Sequence, residues 1–574
     1  MSMFDPAGPA PATPDAPTLD AAQFARLKSY GTPAEVLAGE IVFHTGDRAY
    51  DLVLVESGLV EIVREATRDA PEEVITRHGP GRFLGELNLL TGQRVFVTAR
   101  VAESGRIHRI APERFRQLMG EDGELSSILV RTLLARRRLL QQNEASRSLE
   151  VIGTVLSSAS LALRTYLARL EVPHLWFDAE SVGGEALMQT AGVTPAELPV
   201  ALLPDRILRL ATPGELAEQL GLSYDEPSGE HYDLAVIGGG PAGLAAAVYG
   251  ASEGLSTVLL DAVGPGGQAA ASSRIENYLG FPDGLSGAEL TGLAAVQAAK
   301  FGARLFSPCE IVSLGTLGDR LQLVLSDDTE LCARAVVIAS GAEYRALPLE
   351  RWDEFVGAGI FFAATELEAR SCAGSPVAVV GGANSAGQAA LFLASRGNAV
   401  SLVVRGPELS AGMSNYLVER LRADPLVTIH TSTEVTALHG GAALESIELT
   451  TRGADAAGRV TAGGADADAR VVQACSGLFC FIGAHPATSW LSGVATDDDG
   501  FILTDTRLGD EHLGEAWRAL GRGPLPFETS VPAVFAAGDV RRGSMKRVAA
   551  AVGEGASAVA SVHAALGSAA AARP

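Results

Sequence analysis

Two glycine-rich segments, each placed where an apolar extended run gives way to a helix of small residues, leave few folds open to this chain. The first is Gly238-Gly239-Gly240-Pro241-Ala242-Gly243, between the apolar run 233–237 and the small-residue stretch 244–252. The second is Gly381-Gly382-Ala383-Asn384-Ser385-Ala386-Gly387, between 376–380 and a helix through Ser395. In the first, Gly238 permits the tight turn, Gly240 lets backbone N–H groups approach a pyrophosphate at the positive end of the helix, and Gly243 lets helix and strand pack closely. One such turn alone is weak evidence. Here a further strand, 257–260, ends in Asp261 at the spacing where an acid accepts hydrogen bonds from a ribose. Two turns of this kind predict two separate nucleotide-binding α/β units.

At 574 residues the chain exceeds one hydrophobic core and is expected to be multidomain. Residues 1–20, rich in Pro and Ala, read as a disordered tail. Between 42 and 110, short β-type runs (52–55, 59–63, 73–77, 106–110) separated by Gly46, Gly58, Gly81 and Gly85 predict an all-β module. A helical stretch over 112–148 closes it, with Leu125, Ile128, Leu129, Leu133 and Leu134 at helical spacing. Residues 149–223 alternate strand and helix as a compact α/β domain, 224–231 form a polar linker, and the Ala- and Gly-rich 453–468 form a surface β-turn excursion.

The formal charge of −23 argues against nucleic acid or an anionic membrane as partner, since phosphate attraction needs clustered Lys and Arg. No uninterrupted apolar run of membrane-spanning length and no signal-peptide pattern is visible, so the expected location is the cytoplasm. Cys309, Cys332, Cys372, Cys475 and Cys480 are odd in number, never spaced C-x-x-C, and read as reduced, buried thiols; Cys475 and Cys480 flank a strand taken to enter the flavin domain. No spacing marks a metal site.

The segments GPGGQAAASSRIENYLGFP (264–282) and VFAAGDVRRGSMKRVAAAVGEG (534–555) resemble the two FAD signatures of low-molecular-weight thioredoxin reductases, and the resemblance covers 232–566. It implies an FAD-binding domain in two parts, 232–349 and 489–574, around an NAD(P)-binding domain, 350–488. It implies FAD as cofactor, held by Gly238, Gly240, Pro241, Ala242, Gly243, Asp261 and Gly267, with Gln268 and Asn277 on the flavin side. Ala339-Ser340-Gly341 would pack by the pyrophosphate, Gly538 and Asp539 would hold the ribityl chain, and Lys546, Arg547 and Val548 would supply backbone donors to the flavin N1 and O2 edge. NADPH, with NADH as the alternative, would meet Gly381, Gly382, Ala383, Asn384, Ser385 and Ala386, with Arg405 toward the 2′-phosphate. Glycine is usual in the family where Ala383 stands, and a second arginine is usual where Gly406 stands. A homodimer is also implied.

The redox C-x-x-C of those enzymes falls here on Ala363-Ala364-Thr365-Glu366, so Ala363 and Glu366 replace both sulfurs and no catalytic residue is identified. Residues 149–223 resemble a thioredoxin or glutaredoxin fold in element order and in Leu198-Pro199-Val200, the usual place of a cis proline. Its cysteines too are absent, with Ser157, Ser158, Ala159 and Ser160 in their place. Residues 21–148 resemble a cyclic-nucleotide-binding domain through the cassette 83–90, in which Gly85 makes the turn and Glu86 matches the ribose 2′-OH ligand. The arginine that neutralises the cyclic phosphate falls on Val95, with Arg94 one residue early, which marks the site as degenerate. The expected architecture is a β-roll, a thioredoxin-like domain and two Rossmann-like domains. The expected activity is hydride transfer from NAD(P)H to flavin and on to an unidentified acceptor, a small redox protein among the candidates. The alternatives are a thioredoxin reductase acting directly on a partner's disulfide, a ferredoxin-NADP reductase-like enzyme, and a non-enzymatic flavin sensor.

Overall fold

The computed structural model describes residues 15–66, 71–142, 149–203, 206–224, 231–272, 275, 277–452 and 469–571. The expected excursion 453–468, most of the linker and most of the N-terminal tail lie outside the described residues. The end of the tail is ordered. Ala16 and Leu19 are buried, and Leu19 donates its N–H to the Gly81 carbonyl.

The N-terminal unit is a β-roll of two antiparallel four-stranded sheets. One runs Thr32–Val36, Gly105–Ile110, Leu52–Val55, Phe83–Leu84, and the other Ile41–Phe43, Thr98–Glu103, Leu59–Arg64, Glu73–His78. Four of these strands escaped the sequence reading. Thr32–Val36 carries Pro33 and buries only Val36, so neither alternation nor β-propensity marks it, and a proline is tolerated because the strand is an edge. The expected single closing helix is two, Pro112–Glu121 and Gly123–Gln142. Asp122 is extended between them, and its carboxylate accepts the Leu125 N–H at 3.0 Å, which caps the second helix and ends the first.

The middle unit is a four-stranded sheet in the order Leu175–Asp178, Glu150–Gly153, Val200–Leu202, Ile207–Leu208. The first pair is parallel and the others antiparallel, with helices Ser158–Arg169, Val182–Ala191 and Pro213–Leu220. This is the element order expected of a thioredoxin-like domain, and the Leu198–Pro199 bond is cis. Ser157 is the N-cap of the first helix and accepts the Ser160 N–H. The turn that would carry cysteines is thus a capping turn. The roll and the middle unit share one apolar cluster, in which Val95 and Leu140 belong to the first and Val151, Leu163 and Leu216 to the second.

Two α/β units follow. The first has a seven-stranded sheet whose central strand His231–Ile237 pairs in parallel with Thr257–Leu260 on one side and Glu330–Ile338 on the other. The late strand Val534–Ala536, which opens the second flavin signature, joins Glu330–Ile338 in parallel, so that signature returns to the sheet that carries the first glycine turn. The second has a five-stranded parallel sheet, Ile360–Phe361, Gly477–Cys480, Val377–Val380, Val400–Val403, Val427–His430. Cys480 therefore ends a strand of this second sheet, not one entering the flavin domain. The chain's two crossings between these units pair as the short ribbon Ala342–Tyr344 with Ala484–Pro486. Among the described residues one helix, Val548–Gly567, is long and apolar enough by composition to cross a membrane. Its Ala558, Val559 and Val562 are buried in the core of the first α/β unit together with Leu244 and Ala246 of helix Pro241–Ser252.

Candidate functional site

At Gly238 and Gly243 the first glycine turn has no room for a side chain. A Cβ on Gly243 would stand 1.8 Å from the Gly238 carbonyl oxygen, and one on Gly238, at φ +102°, 2.4 Å from that of Ala339. Gly240, the N-cap of helix Pro241–Ser252, faces open space, its nearest neighbour across the turn being the Gly267 Cα at 4.0 Å. The first N–H groups of that helix therefore have no intrahelical acceptor and sit at its positive end. This is the cradle a pyrophosphate requires. Gly267, at φ +52°, would bring a Cβ to 2.9 Å from the Gly240 Cα, and Gly538, at φ +77°, to 2.9 Å from the Ala242 Cβ. Residues from 238–243, 267–268 and 538–539 thus converge on one helix N-terminus.

Asp261 lies at the tip of the second strand as expected, but its carboxylate is already engaged. It accepts the N–H of Gly239 at 2.6 Å, Val263 at 2.9 Å and Gly264 at 2.6 Å. About one of the roughly four acceptor positions of a carboxylate remains for a ribose hydroxyl. Gln268 donates through Nε2 to the Ala342 carbonyl, while Asn277 is exposed. Gly341, at φ +73°, has open space where a Cβ would stand, and Ser340 ties this corner to the Ala487 carbonyl at 2.8 Å.

Gly538 and Asp539 form a single 3-10 turn. Glu554 accepts the Gly538 N–H at 2.8 Å and pairs with Arg541 at 2.9 Å. Burial first, and Glu554 second, push the Asp539 carboxyl above its ordinary range, while Lys546 pulls the other way. Lys546 and Arg547 are exposed, with the Lys546 ammonium 5.0 Å over the Phe501 ring. Val548 opens the 24-residue C-terminal helix, which packs against the turn Gly538–Val540; the first N–H groups of a helix lack intrahelical acceptors and form its positive end.

The second turn repeats the pattern. Gly381, at φ +148°, would place a Cβ 2.5 Å from the Phe481 carbonyl oxygen. Ala383 is the N-cap of helix Asn384–Ser395 at an ordinary φ of −103°, without a side-chain cap. Its methyl is exposed and leaves the helix N–H groups open. Asn384 accepts the Ser414 N–H at 2.8 Å, and the facing loop comes so close that a Cβ on Gly412 would be 2.8 Å from the Gly382 carbonyl oxygen. Ser385 is exposed and Ala386 buried. Arg405 is exposed just past strand Val400–Val403, at the edge expected to meet a 2′-phosphate.

At 363–366 no sulfur is present. Thr365 and Glu368 cap the short helix Glu366–Ser371, and Glu366 pairs with Arg396. All five cysteines are buried and unpaired. Burial pushes the thiols of Cys309, Cys372, Cys475 and Cys480 up to about 12, so none of these four is a thiolate at neutral pH.

In the β-roll, Gly85, Glu86 and Val95 line a cavity of about 210 Å³. Arg94 does not line it. Its side chain packs toward Gly221 of the middle unit, because in an extended segment adjacent side chains point to opposite faces. Glu86 is held by Arg137 through Nε at 2.5 Å and Nη2 at 2.7 Å, both side chains buried. The expected ribose ligand is therefore occupied by the protein itself.

Sequence reasoning missed Arg137, and also Arg169. Arg169 ends the middle unit's first helix and donates to the carbonyls of Gly264 and Gly267, each at 3.2 Å. It thereby fixes the loop of the first flavin signature from another domain. A lone arginine in a last helical turn gives no sequence signal for such a contact.

Two glycine cradles on separate parallel sheets, the first completed by chain segments far apart in sequence, define a protein built to hold two dinucleotides. Residues 232–555 match the family model for the pyridine nucleotide-disulphide oxidoreductases, and 33–122 that for the cyclic nucleotide-binding domain. The thioredoxin reductase of Treponema pallidum is 30% identical over 325 residues, covering 57% of this chain and 94% of that one. That of Streptomyces clavuligerus is 31% identical over 333 residues, covering 57% and 91%. The solved thioredoxin reductase of T. acidophilum is 28% identical with a TM-score of 0.49, covering 58% of this chain and 98% of that one. The chain belongs to the pyridine nucleotide-disulphide oxidoreductase family. It is an FAD- and NAD(P)H-dependent oxidoreductase resembling thioredoxin reductase.

Proposed function

We propose that the chain oxidises NADPH and reduces an acceptor outside itself, and that this acceptor is the disulfide of a thioredoxin-type protein brought directly to the flavin. FAD, when bound, accepts hydride from the nicotinamide and releases the two electrons onward. In sum, NADPH, a proton and the oxidised acceptor give NADP⁺ and the reduced acceptor. The observation that carries this reading is the absence of sulfur at 363–366, beside cysteines that are all buried and unpaired. With no internal dithiol to relay electrons, they must leave the flavin for a second molecule.

In this reading the turn at 238–243 holds the FAD pyrophosphate, Asp261 the ribose and Asp539 the ribityl hydroxyls. Gln268 and Asn277 border the flavin, and the helix start at Val548 stabilises charge on its N1 and O2 edge. The turn at 381–386 holds the nicotinamide nucleotide. The buried, unpaired cysteines support a cytoplasmic location, and the family resemblance supports a homodimer and the domain division given above.

Anaerobic mixing is the test. NADPH should bleach the visible flavin absorbance rapidly, and the reduced protein should reoxidise on adding an oxidised thioredoxin. Absence of bleaching with both NADPH and NADH would leave a flavin sensor instead. Through thioredoxin, turnover of a disulfide reporter should stay well below that of enzymes with an internal dithiol.

Arg405 supports NADPH over NADH. A charge-assisted bond to phosphate contributes about 1.5–3 kcal/mol. Arg405→Gln should therefore raise KM for NADPH roughly 10-fold or more and leave KM for NADH unchanged. Equal effects on both nucleotides would remove Arg405 from the 2′-phosphate.

A further inference from the structure

The cavity in the β-roll has kept a binding-site shape while losing the chemistry for an anion. Its walls are largely apolar, with Phe43, Ile62, Ile75, Val95 and Leu140 among them. Each nearby cation is committed to the protein. Arg137 grips Glu86 and reaches Gln93 and the Glu171 carbonyl. Arg136 donates to the carbonyls of Asp15, Phe83 and Gly85 at 2.6–2.8 Å. Tyr50 donates to Asn88 and accepts the Glu86 N–H, both at 2.8 Å. Placing a phosphate here would desolvate an anion beside Glu86, where both guanidinium groups are already engaged by the protein.

Among the described residues, one fully buried side-chain polar atom in the wall lacks a hydrogen-bond partner. His78 is 2% exposed, and its Nδ1 has no hydrogen-bond partner. Burial first, and the charges of Arg136 and Arg82 second, hold its imidazole well below the ordinary pKa, so it faces the cavity neutral. A hydroxyl suits either tautomer, because it donates and accepts. For scale, a dry apolar cavity of about 150 Å³ holds benzene, so this one has room for one to two rings.

We propose that this cavity binds a neutral aromatic molecule of one or two rings bearing a hydroxyl, which is hydrogen-bonded to His78, and that it does not bind a cyclic nucleotide.

Isothermal titration of the FAD-loaded full chain with 2-naphthol and, separately, with cAMP tests this. 2-Naphthol should bind with a Kd on the order of 10 μM, and cAMP should give no heat at the same concentrations. Ile75→Trp, which fills the cavity, and Val95→Arg, which charges it, should each weaken 2-naphthol at least tenfold with flavin content unchanged. His78→Phe keeps the shape and should weaken it by about 3- to 10-fold. The proposal is overturned if cAMP binds as tightly as 2-naphthol, if 2-naphthol gives no heat, or if none of the folded, flavin-loaded variants changes its affinity.

Discussion

The Asp539→Ala protein is expected to purify nearly colourless while remaining folded. Asp539 sits in the turn Gly538–Val540, and Gly538 packs against Ala242 at the start of the helix that would meet the pyrophosphate. Removing a charged acceptor from the ribityl hydroxyls costs about 1.5–3 kcal/mol, which is on the order of 10- to 150-fold in FAD affinity. The ligand-free fold should not suffer. Because burial raises the Asp539 pKa, the folded chain holds this proton more tightly than the unfolded chain. Its contribution to stability therefore falls as pH rises from the ordinary carboxylate range through the raised value. At neutral pH the ionised group is a net cost, and alanine removes it. Flavin-to-protein ratio and apo-protein melting, measured together across pH 4–7 (a span of roughly the carboxylate window), separate the two effects. Unchanged flavin content would move the ribityl site elsewhere, and Asp539→Asn, which keeps an acceptor, should retain most of the colour.

Arg137→Met is expected to destabilise the N-terminal unit by about 3–5 kcal/mol, the usual cost of leaving one member of a buried ion pair alone. Arg137 is 1% exposed, and its partner Glu86 is 7% exposed. The double variant Arg137→Met with Glu86→Met should recover much of the loss, since replacing a buried pair by apolar groups is often near neutral. Denaturant melts of the wild type, both single variants and the double variant decide it. Equal losses in Arg137→Met and in the double variant would show that the pair itself contributes nothing beyond packing.

The parts of this molecule that were legible in the sequence are those whose physics is local. Glycines that must accept φ above zero or a backbone contact announce themselves, and Gly238, Gly243, Gly267 and Gly538 are all so constrained. The short cassette around Gly85 was visible for the same reason. What stayed hidden depends on distant residues. Glu86 reads as a free ligand until Arg137, on a helix 51 positions later, is seen to hold it. Asp261 reads as a fully open ribose acceptor until three backbone N–H groups are counted on it, that of Gly239 in the glycine turn and those of Val263 and Gly264 in its own. The displacement of Arg94 followed from strand alternation, whereas its docking toward Gly221 depended on a neighbouring domain. Edge strands such as Thr32–Val36 were missed because burying a single side chain leaves no periodic signal.

The helix Ser158–Arg169 is anchored at both ends to different bodies. At its start, Ser158 sits so close to Gly357 that a Cβ there would come within 2.8 Å of the Ser158 Cα, and Leu161 packs on the core of the second α/β unit. At its end, Tyr166 donates to the Ser307 carbonyl at 3.0 Å and Arg169 grips the flavin loop of the first unit. This helix is a tie rod between the two dinucleotide-binding bodies. Any swivel of one body against the other must shear one of its two anchorages. Removing Arg169 would release the flavin loop and leave Tyr166 as the anchor at that end, without touching either glycine turn, so the middle unit bears on both dinucleotide-binding bodies through a single helix.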